Sequence, residues 1–212
     1  MRYLLAHPAI VAQALAQHLY LTLAALAIAL AIAIPLGLAT AKCSAARAPI
    51  FGVLGIIYTI PSLALLALLV PFEGLGFATA VTALAAYAQM ILVRNISAGV
   101  IGVDRAVVEA ARGMGMNGWQ VLWRVERPLA MPVALGGVRI AAVSIIGIAN
   151  VAAWINAGGL GTLVLDGIER DYPDKALAGA IVSAALAMTV DLSLRAVERR
   201  FRAFTRASID SS

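Results

Sequence analysis

The sequence has little charge, few aromatic residues, and almost no cysteine or histidine. Charged residues make up 13% of the 212 residues and aromatic residues 6%, with one cysteine and two histidines. Because soluble globular domains carry about 25% charged residues, this composition excludes a mainly soluble chain. Cys43 has no second cysteine for an internal disulfide, and no cysteine–histidine cluster indicates a zinc or other metal site. We interpret His7 and His18 as interfacial polar residues rather than metal ligands.

In place of charge, the chain has long apolar runs. Apolar residues make up 62% of the sequence, and the mean hydropathy is +0.94. A bilayer core is about 30 Å thick and needs about 20 apolar residues per crossing helix. The sequence therefore predicts an all-α integral membrane protein with five transmembrane helices, within residues 19–41, 50–72, 76–93, 128–165 and 176–194.

The fourth of these runs is too long to be one straight span. At about 1.5 Å per residue its helix would be about 57 Å long, nearly twice the thickness of the hydrocarbon core. Gly158, Gly159 and Gly161 favour a break, because glycine readily adopts the turn conformations that end a helix. The run is therefore predicted to be one span followed by an outer loop.

Lysine and arginine are distributed unevenly between the two sides of the membrane. With five spans and the amino terminus outside, the outer segments contain Arg2, Arg170 and Lys175. The inner segments then contain Lys42, Arg47, Arg105, Arg112, Arg124, Arg127, Arg195, Arg199, Arg200, Arg202 and Arg206. An excess of inner cations orients membrane proteins, and a sixth span would move the carboxy-terminal arginines outside. We therefore predict an outer amino terminus and a cytoplasmic carboxy terminus.

Short extensions flank this single membrane domain. Residues 1–18 are too polar for a span but reasonably amphipathic, and we expect a short interfacial helix there. The membrane domain covers residues 19–201, and a cytoplasmic tail covers residues 202–212. In the first span a stripe of small residues permits close helix contact, although an alanine-rich chain can also produce such a stripe by chance. The stripe consists of Ala25, Ala29, Ala33 and Gly37.

The inner loop over residues 101–128, which we call the elbow, is the longest charged stretch between spans. Asp104 can cap a first helix through residues 106–112. Gly113 and Gly115 can supply the positive φ angles that end this helix. The pattern therefore predicts a short helix followed by a tight glycine turn.

A second helix can begin immediately after that turn. Asn117 followed three residues later by Gln120 predicts a capping box, and the helix is expected to end at Pro128, where the chain re-enters the membrane. The elbow would then present Met114, Met116 and Trp119 on the cytoplasmic side. We interpret this arrangement as a surface for docking to another protein.

The elbow carries a recognisable motif. E-A-A at residues 109–111 is followed after three residues by Gly115, and after nine more by V-E-R-P at residues 125–128. This resembles the EAA loop of binding-protein-dependent ABC importer permeases, E-A-A-x3-G-x9-I-x-L-P, with valine for isoleucine and arginine for leucine. The segments at residues 59–62, 109–120, 136–139 and 158–161 are similar to successive landmarks of the osmoprotectant Opu-type permeases, which carry glycine betaine, carnitine or choline.

The resemblance implies a MetI-like type I importer fold in a bacterial inner membrane. It also implies a second permease subunit, identical or paralogous, together with two cytoplasmic ATPase subunits and an extracytoplasmic binding protein. The sequence has no G-x-x-x-x-G-K-[ST] phosphate loop, so we expect no ATPase site and no cofactor in this chain, with ATP bound by the partner. The residues expected to couple to the ATPase are Glu109, Ala110, Ala111, Gly113, Gly115, Met116, Trp119 and Pro128.

Contacts with the transported molecule and with the binding protein are further expectations. Aromatic faces hold quaternary ammonium groups well, and Pro61 can kink the second span beside Tyr58. Aromatic residues in spans are also commonly packing residues or interfacial anchors, and that alternative stays open. The pathway candidates are Tyr58, Thr59, Pro61, Ser62, Tyr87, Asn150 and Trp154. The candidates for docking the binding protein are Gly158, Gly159, Gly161, Asp166 and Glu169.

The charges within the spans bear on the competing functions. Arg139 should face protein or water and pair with a carboxylate or carbonyl on a neighbouring helix, while Asp191 can pair with Arg195 one turn away. An importer of methionine or another amino acid would have the same architecture. An ion-coupled carrier is disfavoured because the spans show no inverted repeat and no chain of paired carboxylates. A membrane enzyme is disfavoured because the spans hold no catalytic constellation.

Overall fold

The computed structural model describes the backbone of residues 2–210 and the side chains of residues 3–201. Over these residues the regular structure is helical. The α-helices are α1 Arg2–Ala6, α2 Pro8–Lys42, α3 Ser44–Thr59, α4 Ser62–Glu73, α5 Phe77–Ile101, α6 Arg105–Gly113, α7 Gly118–Val121, α8 Arg127–Ala149, α9 Gly161–Glu169 and α10 Pro173–Asp210. A π-helical turn, Leu122–Glu126, joins α7 to α8, and a 3₁₀ turn, Val151–Ile155, follows α8. The side chains of the expected tail, residues 202–212, lie outside the described part.

Within the described residues, the apolar helices account for up to five membrane crossings. Helices α2, α5 and α10 and the continuous run Gly118–Ala149 are each long and apolar enough to cross alone. Helices α3 and α4 make a fifth crossing when they are counted as one span, bent by 99°. The prediction of an all-α membrane protein with five spans is therefore confirmed.

The sharp bend in the second span lies at Ile60 and Pro61. Proline has no N–H to continue the helical hydrogen bonds, and Ile60 is extended with a ψ of 128°. The freed carbonyls find other donors, because Thr59 Oγ1 donates to Ile56 O at 2.7 Å and the Tyr87 hydroxyl donates to Ile60 O. The predicted kink is confirmed and is large enough to divide the span into two helices.

Helix α5 has the largest buried share of the spans and packs between α2 and α8. The small residues of α2, Ala25, Ala29, Ala33 and Gly37, are all buried against this core. Their size allows close approach, because a Cβ on Gly37 would lie 2.6 Å from Ile96 Cγ2. Gln89 of α5 accordingly reaches the α2 backbone, where its Nε2 donates to Ala29 O at 3.1 Å. The stripe is therefore a packing surface and not a chance result of composition.

The amino-terminal region differs from its prediction. The helix break lies at His7, and α2 begins at Pro8 and continues through residue 18 into the first span. Proline suits the first turn of a helix, where its missing N–H has no partner in any case. The expected separate helix over residues 1–18 is therefore wrong in its boundary.

The interpretation of His18 as an interfacial residue is also wrong, because its side chain is fully buried. His18 Nε2 lies 3.2 Å from Ile146 O on α8, and Nδ1 accepts from Leu160 N at 3.3 Å. Both ring nitrogens are thus paired by groups distant in sequence, which allows a polar ring to be buried.

The long fourth apolar run is broken earlier than the glycines suggested. Helix α8 already ends at Ala149, and the 3₁₀ turn leads to Asn156, which has a left-handed φ of 59°. Gly158 and Gly159 follow with φ of 81° and 83°, a conformation that suits glycine. The prediction of one span followed by a loop is confirmed, with the loop beginning before the glycines.

Candidate functional site

The first half of the elbow forms the expected capped helix. Asp104 Oδ1 accepts from Ala106 N at 2.9 Å at the start of α6. Gly115 ends the turn with a φ of 83°, and its N–H donates to Arg112 O at 2.9 Å. Gly113 does not have a positive φ, because it is the last residue of the helix itself. The predicted turn is therefore confirmed at Gly115 and wrong at Gly113.

The second half begins with the expected capping box. Asn117 Oδ1 accepts from Gln120 N, and Gln120 Oε1 accepts from Asn117 N, both at 2.9 Å. The helix then continues through the π turn into α8, so its expected end at Pro128 is wrong. Proline is accommodated in the first turn of α8, directly after the π turn in which the Arg127 N–H donates to Leu122 O. The elbow therefore leads without interruption into a membrane span.

The elbow exposes several large apolar side chains. Met114 is 72% exposed, Trp119 67% and Trp123 44%. The indole rings of Trp119 and Trp123 lie 5.3 Å apart, and the Arg127 guanidinium lies 4.5 Å from the Trp123 ring centre. Exposed apolar groups clustered beside cations are typical of protein-interaction surfaces.

The coupling candidates do not all lie on this surface. Glu109, Ala110, Gly113, Gly115, Trp119 and Pro128 are exposed, and Met116 is half-buried. Ala111 is buried, and its carbonyl accepts from Met116 N within the elbow. The E-A-A motif therefore has an outward part, Glu109 and Ala110, and an inward alanine that packs the turn.

Sequence reasoning missed the buried carboxylate of the elbow. Glu126 lies at the end of the π turn with 7% of its side chain exposed, and it forms a salt bridge with Lys42 at the end of α2. The two residues are 84 positions apart, so no local spacing indicated the pair. This contact joins the elbow to the first span.

Three of the pathway candidates line one cleft. A cleft of about 290 Å³ is lined by Tyr58 and Ser62 at the bent second span, by Tyr87 on α5, and by residues of α8. The rings of Tyr58 and Tyr87 meet edge to face at 6.2 Å between their centres. The residues lining this cleft are uncharged, so it is an aromatic and aliphatic environment with hydroxyl groups.

The other pathway candidates lie elsewhere. Thr59 donates to a carbonyl of its own helix, and Pro61 forms the bend. Asn150 Oδ1 accepts from Ser183 Oγ at 2.9 Å and so joins the end of α8 to α10. Trp154 is 61% exposed and is not among the cleft residues. The structure therefore brings together Tyr58, Ser62 and Tyr87.

The candidates for docking the binding protein are divided in the same way. Gly158 and Gly159 lie against α2, where Gln17 Oε1 accepts from Gly159 N at 3.2 Å. Gly161 is buried, since a Cβ there would lie 2.2 Å from Asn150 O. These glycines thus pack the loop between α8 and α9 against the rest of the protein.

The two acidic candidates of this region, Asp166 and Glu169, lie on α9. Asp166 pairs with Lys175 at 2.5 Å and with Arg170 at 3.4 Å, while Glu169 is exposed. The hydrogen bond from Lys175 lowers the pKa of Asp166 below its usual value. Much of the negative charge of Asp166 is therefore compensated within the protein, which leaves Glu169 as the more available acid.

The arginine within the fourth span is paired by carboxylates on α10. Arg139 Nη1 donates to Asp191 Oδ1 at 2.8 Å, and Arg139 Nε lies 3.4 Å from Glu198 Oε2. Asp191 also pairs with Arg195 at 3.3 Å, one turn along the same helix. The predictions for Arg139 and Asp191 are confirmed, and Glu198 is a partner that the sequence did not suggest. Among the side chains that the structure describes, no cluster of three or more His, Cys, Asp or Glu residues could hold a metal ion.

Comparison with known proteins agrees with this geometry. The sequence profile of a family described as "binding-protein-dependent transport system inner membrane component" matches residues 33–203, which include the elbow and the cleft. The chain belongs to this family. This permease is 39% identical to the carnitine transport permease protein OpuCB of Listeria monocytogenes over 184 residues, covering 87% of this chain and 84% of that protein. It is 33% identical to the glycine betaine/carnitine/choline transport system permease protein OpuCB of Bacillus subtilis, covering 87% of this chain and 85% of that protein.

The permease fold also matches a solved structure. A chain of the MetNI methionine ABC transporter in an inward-facing form superposes with a TM-score of 0.81 over 91% of this chain and 96% of that chain. At 18% identity this likeness concerns the fold alone. The expected MetI-like fold is therefore confirmed, as is the resemblance to the Opu-type permeases. The protein is a multi-pass inner-membrane permease of the ABC importer class.

Proposed function

We propose that this permease forms the pathway for a small quaternary-ammonium osmolyte such as glycine betaine, carnitine or choline. The molecule would be delivered by an extracytoplasmic binding protein, and its passage would be driven by separate cytoplasmic ATPase subunits. The observation that carries this proposal is the elbow, with Glu109 and Trp119 exposed and a helix that leads directly into α8. The relatives named for carnitine, glycine betaine and choline transport support the cargo.

In this proposal the elbow docks into the ATPase and acts as a rigid lever. The uneven distribution of lysine and arginine supports an orientation with the amino terminus outside and the carboxy terminus inside. ATP would bind to the partner, because the sequence of this chain has no phosphate loop. ATP can switch the permease only if its binding favours one permease state over the other. The elbow must therefore occupy a different position in each of the two permease states.

A second permease subunit, identical or paralogous, would complete the pathway. The cleft beside Tyr58 and Tyr87 is our candidate for the part of the pathway contributed by this chain. Aromatic faces attract a quaternary ammonium without forming hydrogen bonds, and the uncharged lining offers no carboxylate to retain it. Weak binding of this kind suits a transit site, since the binding protein would supply the affinity. The outer loop at residues 158–161 and Glu169 remain our candidates for docking that protein.

The test is uptake of radiolabelled glycine betaine, with choline and methionine as comparison solutes. The permease is expressed with its neighbouring genes in a strain that lacks its other importers, and each uptake is repeated with Glu109→Lys. We expect glycine betaine uptake that the substitution abolishes. If methionine is taken up instead and Glu109→Lys abolishes that uptake, the assignment as an ABC permease stands and the assignment of an osmolyte as the transported molecule is refuted. Uptake that survives both Glu109→Lys and deletion of the ATPase would refute coupling through the elbow.

A further inference from the structure

The salt bridge between Lys42 and Glu126 connects the end of α2 to the elbow. Lys42 Nζ donates to Glu126 Oε1 at 2.6 Å and also contacts Oε2. Lys42 is the last residue of α2, and Glu126 is the last residue of the π turn of the elbow. The bond therefore joins the inner end of the first span to the helix that runs from the elbow into the fourth span.

An apolar cleft adjoins this bond. Leu30, Ile34 and Leu38 of α2 line a cleft of about 320 Å³ together with Leu122 and Trp123 of the elbow. These α2 residues and Lys42 recur every fourth position, so they share one face of the helix. Lys42 is thus the next side chain on that face after Leu38, and Glu126 lies in the chain between the lining residues Trp123 and Arg127.

The environment of the pair gives it a defined geometry. Only 7% of the Glu126 side chain is exposed, whereas 46% of the Lys42 side chain is exposed. A buried carboxylate without its cation is strongly unfavourable, so separating Lys42 from Glu126 would cost free energy. Helical π turns are rare and often occur at functional sites, and this one ends at Glu126.

We propose that Lys42 and Glu126 form an ionic latch that makes the inner end of α2 follow the elbow. This inference rests on the proposed coupling of the elbow to an ATPase. Movement of the elbow would pass through the continuous helix to α8 and through the latch to α2. The two residues are positioning residues, since they act on the spans and touch neither ATP nor the transported molecule.

The latch is tested in the complete complex with its ATPase subunits and binding protein, reconstituted in proteoliposomes. Uptake and ATP hydrolysis are measured together for Lys42→Met, Glu126→Gln and the double variant. Glu73→Gln is the matched control, because it removes the same charge from an exposed position at the end of α4. Each variant is first checked for membrane insertion and for assembly with the ATPase.

We expect each single substitution to lower the number of molecules transported per ATP by about tenfold, a size typical of coupling between distant sites. ATP hydrolysis should persist. The double variant should transport as many molecules per ATP as the single variant with the lower ratio, because all three variants remove the same interaction. The control should retain the wild-type ratio.

Three results would overturn the latch. Uptake and hydrolysis that fall in the same proportion would show that the pair only stabilises the fold. Uptake and hydrolysis that both stay at the wild-type level would show that α2 does not need the latch, and losses that multiply in the double variant would show that the residues act separately. Failure of the underlying function is recognised separately, because full ATP-driven uptake by Glu109→Lys would refute elbow coupling itself and the latch with it.

Discussion

The turn at Gly115 allows a quantitative test of how the elbow is built. Its φ is 83°, and a Cβ at this position would have open space with no atom within 4 Å. Replacing it with alanine therefore adds backbone strain and no steric clash. A non-glycine residue in the left-handed region is disfavoured by about 1–2 kcal/mol.

This strain should appear as weaker docking to the ATPase. A penalty of about 1–2 kcal/mol lowers the population of the native turn relative to other elbow conformations by about 5- to 30-fold. The apparent affinity for the ATPase should fall by up to the same factor if, as proposed, the native elbow is the form that docks. Gly118→Ala is the matched control, since Gly118 is exposed, lies in α7 without a positive φ and also has open space around it.

The assay is binding of purified ATPase subunits to the permease in nanodiscs, measured for the wild type and both alanine variants. We expect weaker binding for Gly115→Ala and wild-type binding for Gly118→Ala. Wild-type affinity for both variants would refute the reasoning, because the positive φ at Gly115 would then have no effect on docking. A loss of the same size in both would instead assign the effect to added bulk on the docking surface.

Three further predictions concern packing and charge. Gly37→Val should lower stability by about 1–3 kcal/mol, because the added side chain would collide with Ile96. Thermal unfolding in detergent measures this, and an unfolding midpoint equal to that of the wild type would contradict it. His18→Phe should lower stability by about 1–3 kcal/mol, because it leaves the buried Leu160 N–H without its acceptor, and a variant as stable as wild type would contradict this. The pKa of Asp166 is lowered by its bond to Lys175, so this bond stabilises α9 at pH values above the ordinary pKa of aspartate. The contribution is lost as the pH falls through the folded-state pKa. Hydrogen exchange of α9 should therefore become faster in acid for the wild type and change less with pH for Asp166→Asn.

The features predicted correctly from the sequence depend on residues close together in the chain. The capping box of Asn117 and Gln120 spans one helical turn, and the bend at Pro61 follows from a missing N–H. Gly115 was predicted to have a positive φ for the same local reason. The long apolar runs determined the class of protein, because the bilayer requires about 20 apolar residues per span whatever the neighbouring helices are.

The predictions that failed were those in which other hydrogen bonds in the folded protein overrode the local sequence pattern. Pro128 does not end the second elbow helix, because the π turn before it shifts the hydrogen bonding and lets the helix continue. His18 looked like an interfacial residue, yet it is buried because Ile146 and Leu160 supply partners for both ring nitrogens. Helix boundaries and the burial of polar residues therefore depended on neighbours that the local pattern does not contain.

The sequence by itself determined the membrane class, the elbow and its motif, and the family to which the chain belongs, since each follows from composition or from spacing within a short segment. Only the tertiary structure decided which distant side chains meet. The pairing of Lys42 with Glu126, the contact of Arg139 with Glu198 and the meeting of Tyr58 with Tyr87 all depend on how α2, α5, α8 and α10 pack. Helix packing in lipid is governed by the fit of small residues such as Gly37 against their neighbours, and that fit becomes visible only when the helices are placed together.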